Sequence, residues 1–524
     1  MTLERRLGLA VASALLLIIV AVGAAILVLC HGHLIYSLDD PYISLALGDQ
    51  IAQGHYGINA VEPSSPSSSI LYPFLLALFA WAPRQDWAPA VINALTACGT
   101  AIIFAREACR LGIVTSRDQI PAAATLIVAL CLAINVVGLV FVGLEHSLHV
   151  LTSLYVVFVL ARVLETGRVP RGLVIAIVLL PLLRFEGLAL AGLAILALGI
   201  AGHRRAALIA ALAIVAALGL YMTAMAKLGL PLLPSSVLVK SDVARLTTAG
   251  ATGFAALGRG VWANLTGSLR NPEAYPVFLL LGLVIARPLL RRDCAGREWL
   301  FAGVVAGALV AHILFGAWGW FARYEAYAVA IGIAGAIVLW REAIAALVTR
   351  GGVAAIAASV VALLFVGQDY VIAEAATPVA SLGIYEQHYQ MHRFAVEFYK
   401  RPVGVNDLGW VGYRNPNYVL DLWGLGSETA RTMRTQAADD PAWLERLVAA
   451  RGVGLVMIYD QWFVGQIPDT WRRIATLKAA HRITAPFDTV SFYATSTEAA
   501  PDALAALHEF ARDLGPGTRL TIFD

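Results

Sequence analysis

Residues 7–30 read LGLAVASALLLIIVAVGAAILVLC, and residues 31–57 continue HGHLIYSLDDPYISLALGDQIAQGHYG. The first stretch is an uninterrupted apolar run, and roughly 20 such residues cross a bilayer as a helix. It is too long for the apolar core of a typical secretory signal, and Leu29 before Cys30 spoils a lipoprotein-type cleavage site. It reads as a retained first membrane helix. The second stretch places Asp39 and Asp40 just past its end, ahead of a short amphipathic segment. Adjacent carboxylates at a membrane surface suit chemistry at the lipid interface; a channel or a passive scaffold has little need of them.

Composition widens the reading from one helix to many. The chain is 59% hydrophobic and 14% charged, which excludes a soluble globular protein. A net charge of +3 and the lack of basic runs with interleaved aromatics give no reason to expect nucleic acid. Cys30, Cys98, Cys109, Cys131 and Cys294 have no paired spacing and read as small hydrophobes. Further apolar runs occupy 88–105, 120–142, 147–162, 172–183, 187–201, 206–226, 275–290, 299–316, 325–341 and 352–371.

Lys and Arg collect in cytoplasmic loops. With the N-terminus inside, Arg5, Arg106, Arg162, Arg204, Arg287 and Arg341, with their basic neighbours, fall on one side. That parity requires 70–83 (ILYPFLLALFAWAP), broken by Pro73, to be interfacial or re-entrant. The expectation is a polytopic α-helical membrane protein with about eleven spans, 172–201 being short enough for a broken hairpin. After 371 the composition turns polar. Strand-like runs (402–413, 418–423, 452–459, 490–496, 519–523) alternate with helix-like runs near 385–400, 427–451 and 499–512. The expected domains are 1–375, transmembrane with an outer loop at 31–87, and 380–524, a C-terminal extracytoplasmic α/β domain.

On this topology the polar signals gather on the outer face: Asp39-Asp40, Gly143-Leu144-Glu145-His146-Ser147, Arg184-Phe185-Glu186-Gly187, the loop 229–242 with Lys240, and Trp318 to Tyr324 with Arg323. Ionisable groups at a membrane boundary are costly, so their clustering marks a site. Each also has a structural reading. Asp40 before Pro41 fits a helix cap; Glu145 and His146 fit a cap for the next helix; Arg184 and Glu186 fit a mutual ion pair; Lys240 and Arg323 fit snorkelling. With Asp40 spent as a cap, Asp39 is the expected catalytic base. The matching chemistry is displacement at a sugar carbon from a lipid-linked phosphate, a carboxylate taking the acceptor proton and cations holding the phosphate.

The segment SLDDPYISLALGDQIAQGHYGINAVEPSSPSSSILYPFLLALFA (37–80) resembles the first outer loop of GT-C glycosyltransferases. It is nearest the mycobacterial terminal arabinofuranosyltransferase-like group, where DDA(F/Y)IS precedes a TSPLW-type stretch. GLEHS (143–147) is similar to a GLET pattern, RFEG (184–187) to RPEG, and LPLLPSSVLVK (230–240) to LPNTFYAK. VGVNDLGWVGYRNPNYVLDLWGL (403–425) resembles a VxDxGxxGY…DLxGL signature. The resemblance implies a multi-pass protein of the inner or plasma membrane. It also implies inverting transfer from a polyprenyl-phosphate sugar to a cell-envelope glycan or lipid, an aspartate acting as base. That role maps onto Asp39 or Asp40, while Glu145, Arg184, Glu186, Lys240, Arg323, Tyr324 and Trp410 are the expected donor and acceptor contacts. A divalent metal ion is the one cofactor left open. Phe185 replaces the RPEG proline and Ile70-Leu71-Tyr72 the TSPLW tryptophan, so arabinofuranose does not follow as the sugar.

A transporter or flippase of a lipid-linked glycan is the competing reading, and a non-catalytic glycan sensor the third. A transporter places ionisable groups near mid-membrane in matching halves, whereas here they sit at helix ends. Sidedness is directly testable. A reporter fused after Gly383 should be active only outside the cytoplasm; activity confined to the cytoplasm would refute the topology.

Overall fold

The apolar runs become helices in the computed structural model, which describes residues 1–240, 254–291, 294–436, 440 and 442–523. The side chains of 239, 240 and 254–257 lie outside that description. Among the described residues, six helices are long and apolar enough to cross a membrane: Leu3–Leu29, Gln85–Arg110, His146–Thr166, Arg204–Lys227, Pro272–Leu290 and Gly296–Phe315. Three bent pairs raise the number to nine: Arg117–Leu132 with Val136–Val142 (41°), Ala326–Leu339 with Arg341–Thr349 (79°), and Gly352–Phe365 with Gln368–Tyr399 (82°). These are the helices of a membrane-embedded protein. The remaining two expected spans are the 13-residue Arg171–Leu183 and the 14-residue Gly187–Ile200. At 1.5 Å per residue each reaches only about 20 Å, short of the ~30 Å hydrocarbon core. Segment 70–83 holds only the six-residue helix Tyr72–Ala77.

By contact the described residues form two units, one drawn from 1–22, 90–220 and 245–375, the other from 23–89, 221–244 and 376–524. In the first, Ala326–Leu339 is buried along nearly its whole length and packs on His146–Thr166, Tyr275–Leu290 and Gly296–Phe315. Small residues allow the approach. A Cβ at Gly332 would lie 2.8 Å from Leu280, and one at Gly335 2.7 Å from Val305, the close packing that joins membrane helices.

The second unit is built on a six-stranded sheet: β1 (Val403–Val405), β2 (Val419–Asp421), β3 (Leu455–Ile458), β4 (Arg472–Ala479), β5 (Thr489–Ala494) and β6 (Thr518–Ile522). Its order is β2-β1-β3-β5-β4-β6, with β1 parallel to β2 and β3 and the other pairs antiparallel. Trp443, Leu444, Leu447 and Val448 cover one face over Leu420, Val456 and Ile458. Phe394 packs on Phe492 and Phe510 elsewhere in the unit. The expected helix 427–451 is two helices, Glu428–Thr435 and Trp443–Ala450.

The outer loop belongs to this unit because it completes the sheet's edge. The Asn59 carboxamide donates to the Val419 carbonyl and accepts its N–H, both at 2.9 Å, covering an edge strand that would otherwise expose its backbone groups. Nearby, Glu62 accepts from Tyr418, from Ser427 Oγ at 2.9 Å and from Arg451 at 3.1 Å.

Candidate functional site

Asp39 precedes the helix Asp40–Ala52, with Pro41 in its first turn. The local expectation was that Asp40 caps this helix and leaves Asp39 free. The structure corrects it. Asp39 occupies the cap position without a side-chain bond to the helix's own amides, and Asp40 is the first helical residue. The Asp39 side chain, 6% exposed, turns to the sheet domain instead. Its Oδ2 accepts the Gly409 N–H at 2.7 Å and its Oδ1 the Trp410 N–H at 2.8 Å. Gly409 is required there, since a Cβ would collide with the Asp39 carbonyl oxygen and carboxylate.

Two residues outside the expected set of site residues complete this centre. Asp407 Oδ2 lies 3.0 Å from His388 Nε2, and Tyr459 donates to Gln387 at 2.6 Å beside them. His388 sits on the π-helical stretch Tyr385–Tyr389, a local overwinding frequent at functional sites. Asp407 was legible as the aspartate of VNDLGWVGY; His388 had no sequence signal. Burial, aided by Asp407 and Asp40, pushes the Asp39 carboxyl up to about 7 against the opposing pull of His388 and the Trp410 amide. Asp39, His388 and Asp407 each offer a ligand atom within 4.8 Å of the others. Such an oxygen–nitrogen–oxygen set fits a divalent cation of the Mn²⁺ or Zn²⁺ kind. The Nδ1 of His388 is buried with no hydrogen-bond partner among the described residues.

Trp410, expected on a sugar-binding face, is 7% exposed. Its ring stacks on Tyr42 at 3.9 Å and meets Tyr389 edge-on at 5.0 Å. These rings and His392 at 5.2 Å make it a core aromatic below Asp39, with its faces taken.

The first unit brings together residues far apart in sequence. Arg184 Nη1 contacts Glu145 Oε1 at 2.8 Å and His146 Nε2 at 2.9 Å, and Nη2 contacts Glu186 Oε1 at 2.6 Å. Glu145 holds the position before helix His146–Thr166 but makes no cap; its side chain is spent on Arg184. The Arg184 guanidinium lies 5.7 Å from the centre of the Tyr324 ring, and Arg323 lies 4.9 Å from it while donating to its hydroxyl at 3.1 Å. Arg323 follows a left-handed turn: Gly319, Trp320, Phe321 and Ala322 all have φ between 49° and 73°. Three non-glycine residues in that region are strained, and such strain persists only where the surroundings hold it. Asn135, which the sequence did not flag, does so by donating to the Ala322 carbonyl at 3.0 Å. Lys240 ends the helix Ser235–Lys240, and its side chain lies outside the described residues.

Residues 379–493 match the model of a family described as a domain of unknown function (DUF8728), a region that spans the His388 helix and most of the sheet. No curated protein matches the chain.

The double amide contact gives Asp39 a structural task. Asp39→Asn turns an –NH2 towards one of two N–H donors and should cost about 1–3 kcal/mol. Gly409→Ala should cost a similar ~1–3 kcal/mol by forcing the contact apart. Thermal unfolding of the purified protein checks both; unchanged melting of Gly409→Ala would refute the packing described.

Proposed function

We propose that this chain is an integral-membrane glycosyltransferase that moves a sugar from a polyprenyl-phosphate donor to a glycan or lipid acceptor, with Asp39 as the general base. The observation that carries the reading is the setting of the Asp39 carboxylate. It is buried, fixed by two backbone amides, and next to the His388–Asp407 pair.

The acceptor hydroxyl attacks the anomeric carbon as Asp39 takes its proton. The carbon–oxygen bond to phosphate breaks, and the polyprenyl phosphate leaves with the bonding pair. Two amide donors hold the carboxylate in one orientation, as a base must be held. The Asp407–His388 contact fixes the imidazole, whose charge favours ionised Asp39. A divalent cation held by the three residues would need the imidazole neutral and would take the Asp39 lone pair, so it is an alternative to the base role, one that would supply positive charge for the phosphate. In the other unit, Arg184 is committed to Glu145 and Glu186. Arg323, on its strained turn, is the better candidate for gripping phosphate in bidentate fashion.

Transfer from a synthetic polyprenyl-phosphate sugar, normalised to folded protein, tests the reading. Asp39→Asn should lose at least about a hundred-fold in rate. Asp40→Asn should cost less than about 1 kcal/mol in stability, the value of an acidic group at a helix start. Near-normal transfer by Asp39→Asn would refute the assignment. Because the base must be ionised, wild-type rate should rise with pH through about 7, and facing groups Asp40, Asp407 and His388 should shift that limb when neutralised. A limb at the ordinary carboxylate value would remove Asp39 from the step.

The two arginines should separate cleanly. Arg323→Ala should raise the donor KM and leave the acceptor KM unchanged. Arg184→Ala should destabilise by about 3–5 kcal/mol, since it strands buried Glu145. An unaltered donor KM in Arg323→Ala would withdraw its phosphate role.

A further inference from the structure

The C-terminal unit contains a polar cleft of about 580 Å³, within the roughly 300–1,000 Å³ typical of ligand sites. Gln50 of the helix Asp40–Ala52 and Gln53 just after it, Val61 of the outer loop, and Arg414, Asn417 and Tyr418 just before β2 contribute to its wall. All belong to one unit. We propose that this cleft binds a neutral oligosaccharide and so defines the acceptor class, an inference that rests on the transferase reading above.

Charge accounting excludes an acidic ligand. Arg414 is the cation of the wall, and it is already matched. It pairs with Asp49 at 3.2 Å and donates to the carbonyls of Ala80, Ala82 and Pro83 at 3.1–3.2 Å. A phosphate or carboxylate in the cleft would have to break that set. Carboxamides remain. Gln50 Oε1 is buried at the wall and accepts no hydrogen bond among the described residues, an acceptor in need of a hydroxyl. Asn417 is half-buried at the rim, its backbone N–H already taken by Asn415 Oδ1 at 2.9 Å. A carboxamide sets donor and acceptor side by side, matching neighbouring sugar hydroxyls, and carries no charge to desolvate. Val61, 81% exposed, and Pro416 add the apolar surface that the C–H face of a sugar ring covers.

The test is direct binding to the full-length protein in detergent, without donor. Neutral pentose and hexose oligosaccharides of three to six units are titrated calorimetrically, with an oligogalacturonide as the acidic comparison. A neutral member should bind, and the oligogalacturonide should neither bind nor compete. Gln50→Ala and the rim variant Asn417→Lys should each weaken binding about ten-fold with unchanged melting temperature. If no neutral member binds at millimolar concentration, if the acidic one binds better, or if both folded variants bind like wild type, the proposal is overturned. Asp39→Asn should bind the oligosaccharide like wild type. Binding intact with transfer absent from wild type would sink the transferase reading alone; transfer intact with binding indifferent to Gln50 and Asn417 would sink the cleft alone.

Discussion

The C-terminal unit depends on one carboxylate reaching across 370 residues of chain to two backbone amides. A buried carboxylate without partners would neutralise or unfold its surroundings. Asp39 is supplied with both donors by the turn at Gly409 and Trp410. This contact explains several residues together. Gly409 must lack a side chain because the carboxylate lies where a Cβ would go. Tyr42, one helical turn from Asp39, must be flat and large to stack on Trp410. The Asn59 contact to β2 then extends the same docking along the loop. The outer loop thus forms part of the sheet domain's body.

The first unit handles the same problem with ions. Arg184 and Glu145 are almost wholly buried, and their charges are tolerable only because each faces the other and Glu186 adds a second carboxylate. Losing one member of such a group costs far more than the group itself contributes, because the partner stays charged and dry. The left-handed turn before Arg323 adds backbone strain, held by Asn135 and by the Glu325 carboxylate, which accepts the Gly319 N–H at 2.8 Å. Strain and buried charge in one place are expensive features for a purely structural helix junction. On the proposed reading they suit a binding centre, since preorganised groups do not have to reorganise when a ligand arrives.

The elements that sequence revealed were those set by local periodicity. Apolar runs marked the helices, although run length could not tell a spanning helix from the 13- and 14-residue pair around Arg184-Glu186. Three strands lay within the expected runs, and β5 and β6 each began one residue before theirs. The sixth, β4, was hidden because Arg472, Arg473 and Lys478 make it look polar, yet Ile474, Ala475, Leu477 and Ala479 are buried. At the site, the Asp39-Asp40 pair was legible, but the division of labour between its members was not. Local sequence sees Pro41 and infers a cap on Asp40; the deciding partner, Gly409, is distant in sequence. Trp410 was misread for the same reason, since only the fold shows Tyr42 and Tyr389 on its ring. Asn135 is an isolated polar residue in an apolar run and His388 is one of several polar residues in 385–393, and nothing nearby distinguishes either.

Opposing influences on Asp39 come from different parts of the sequence, and their balance sets its protonation. The aromatic floor of Tyr42, Trp410 and Tyr389 removes water, and burial alone would hold the carboxyl protonated. The Trp410 amide and the His388 charge favour the ionised form, and acting alone they would leave a carboxylate too stable to accept a proton. Between these limits the group is dry enough to be basic and supported enough to be charged. Weakening the floor would lower its basicity without touching the carboxylate, and removing an amide would raise its pKa without opening the site. The loop supplies the acid and Tyr42 of the floor, and the sheet domain supplies Trp410, Tyr389 and the His388 charge, so neither segment sets the carboxylate's state by itself.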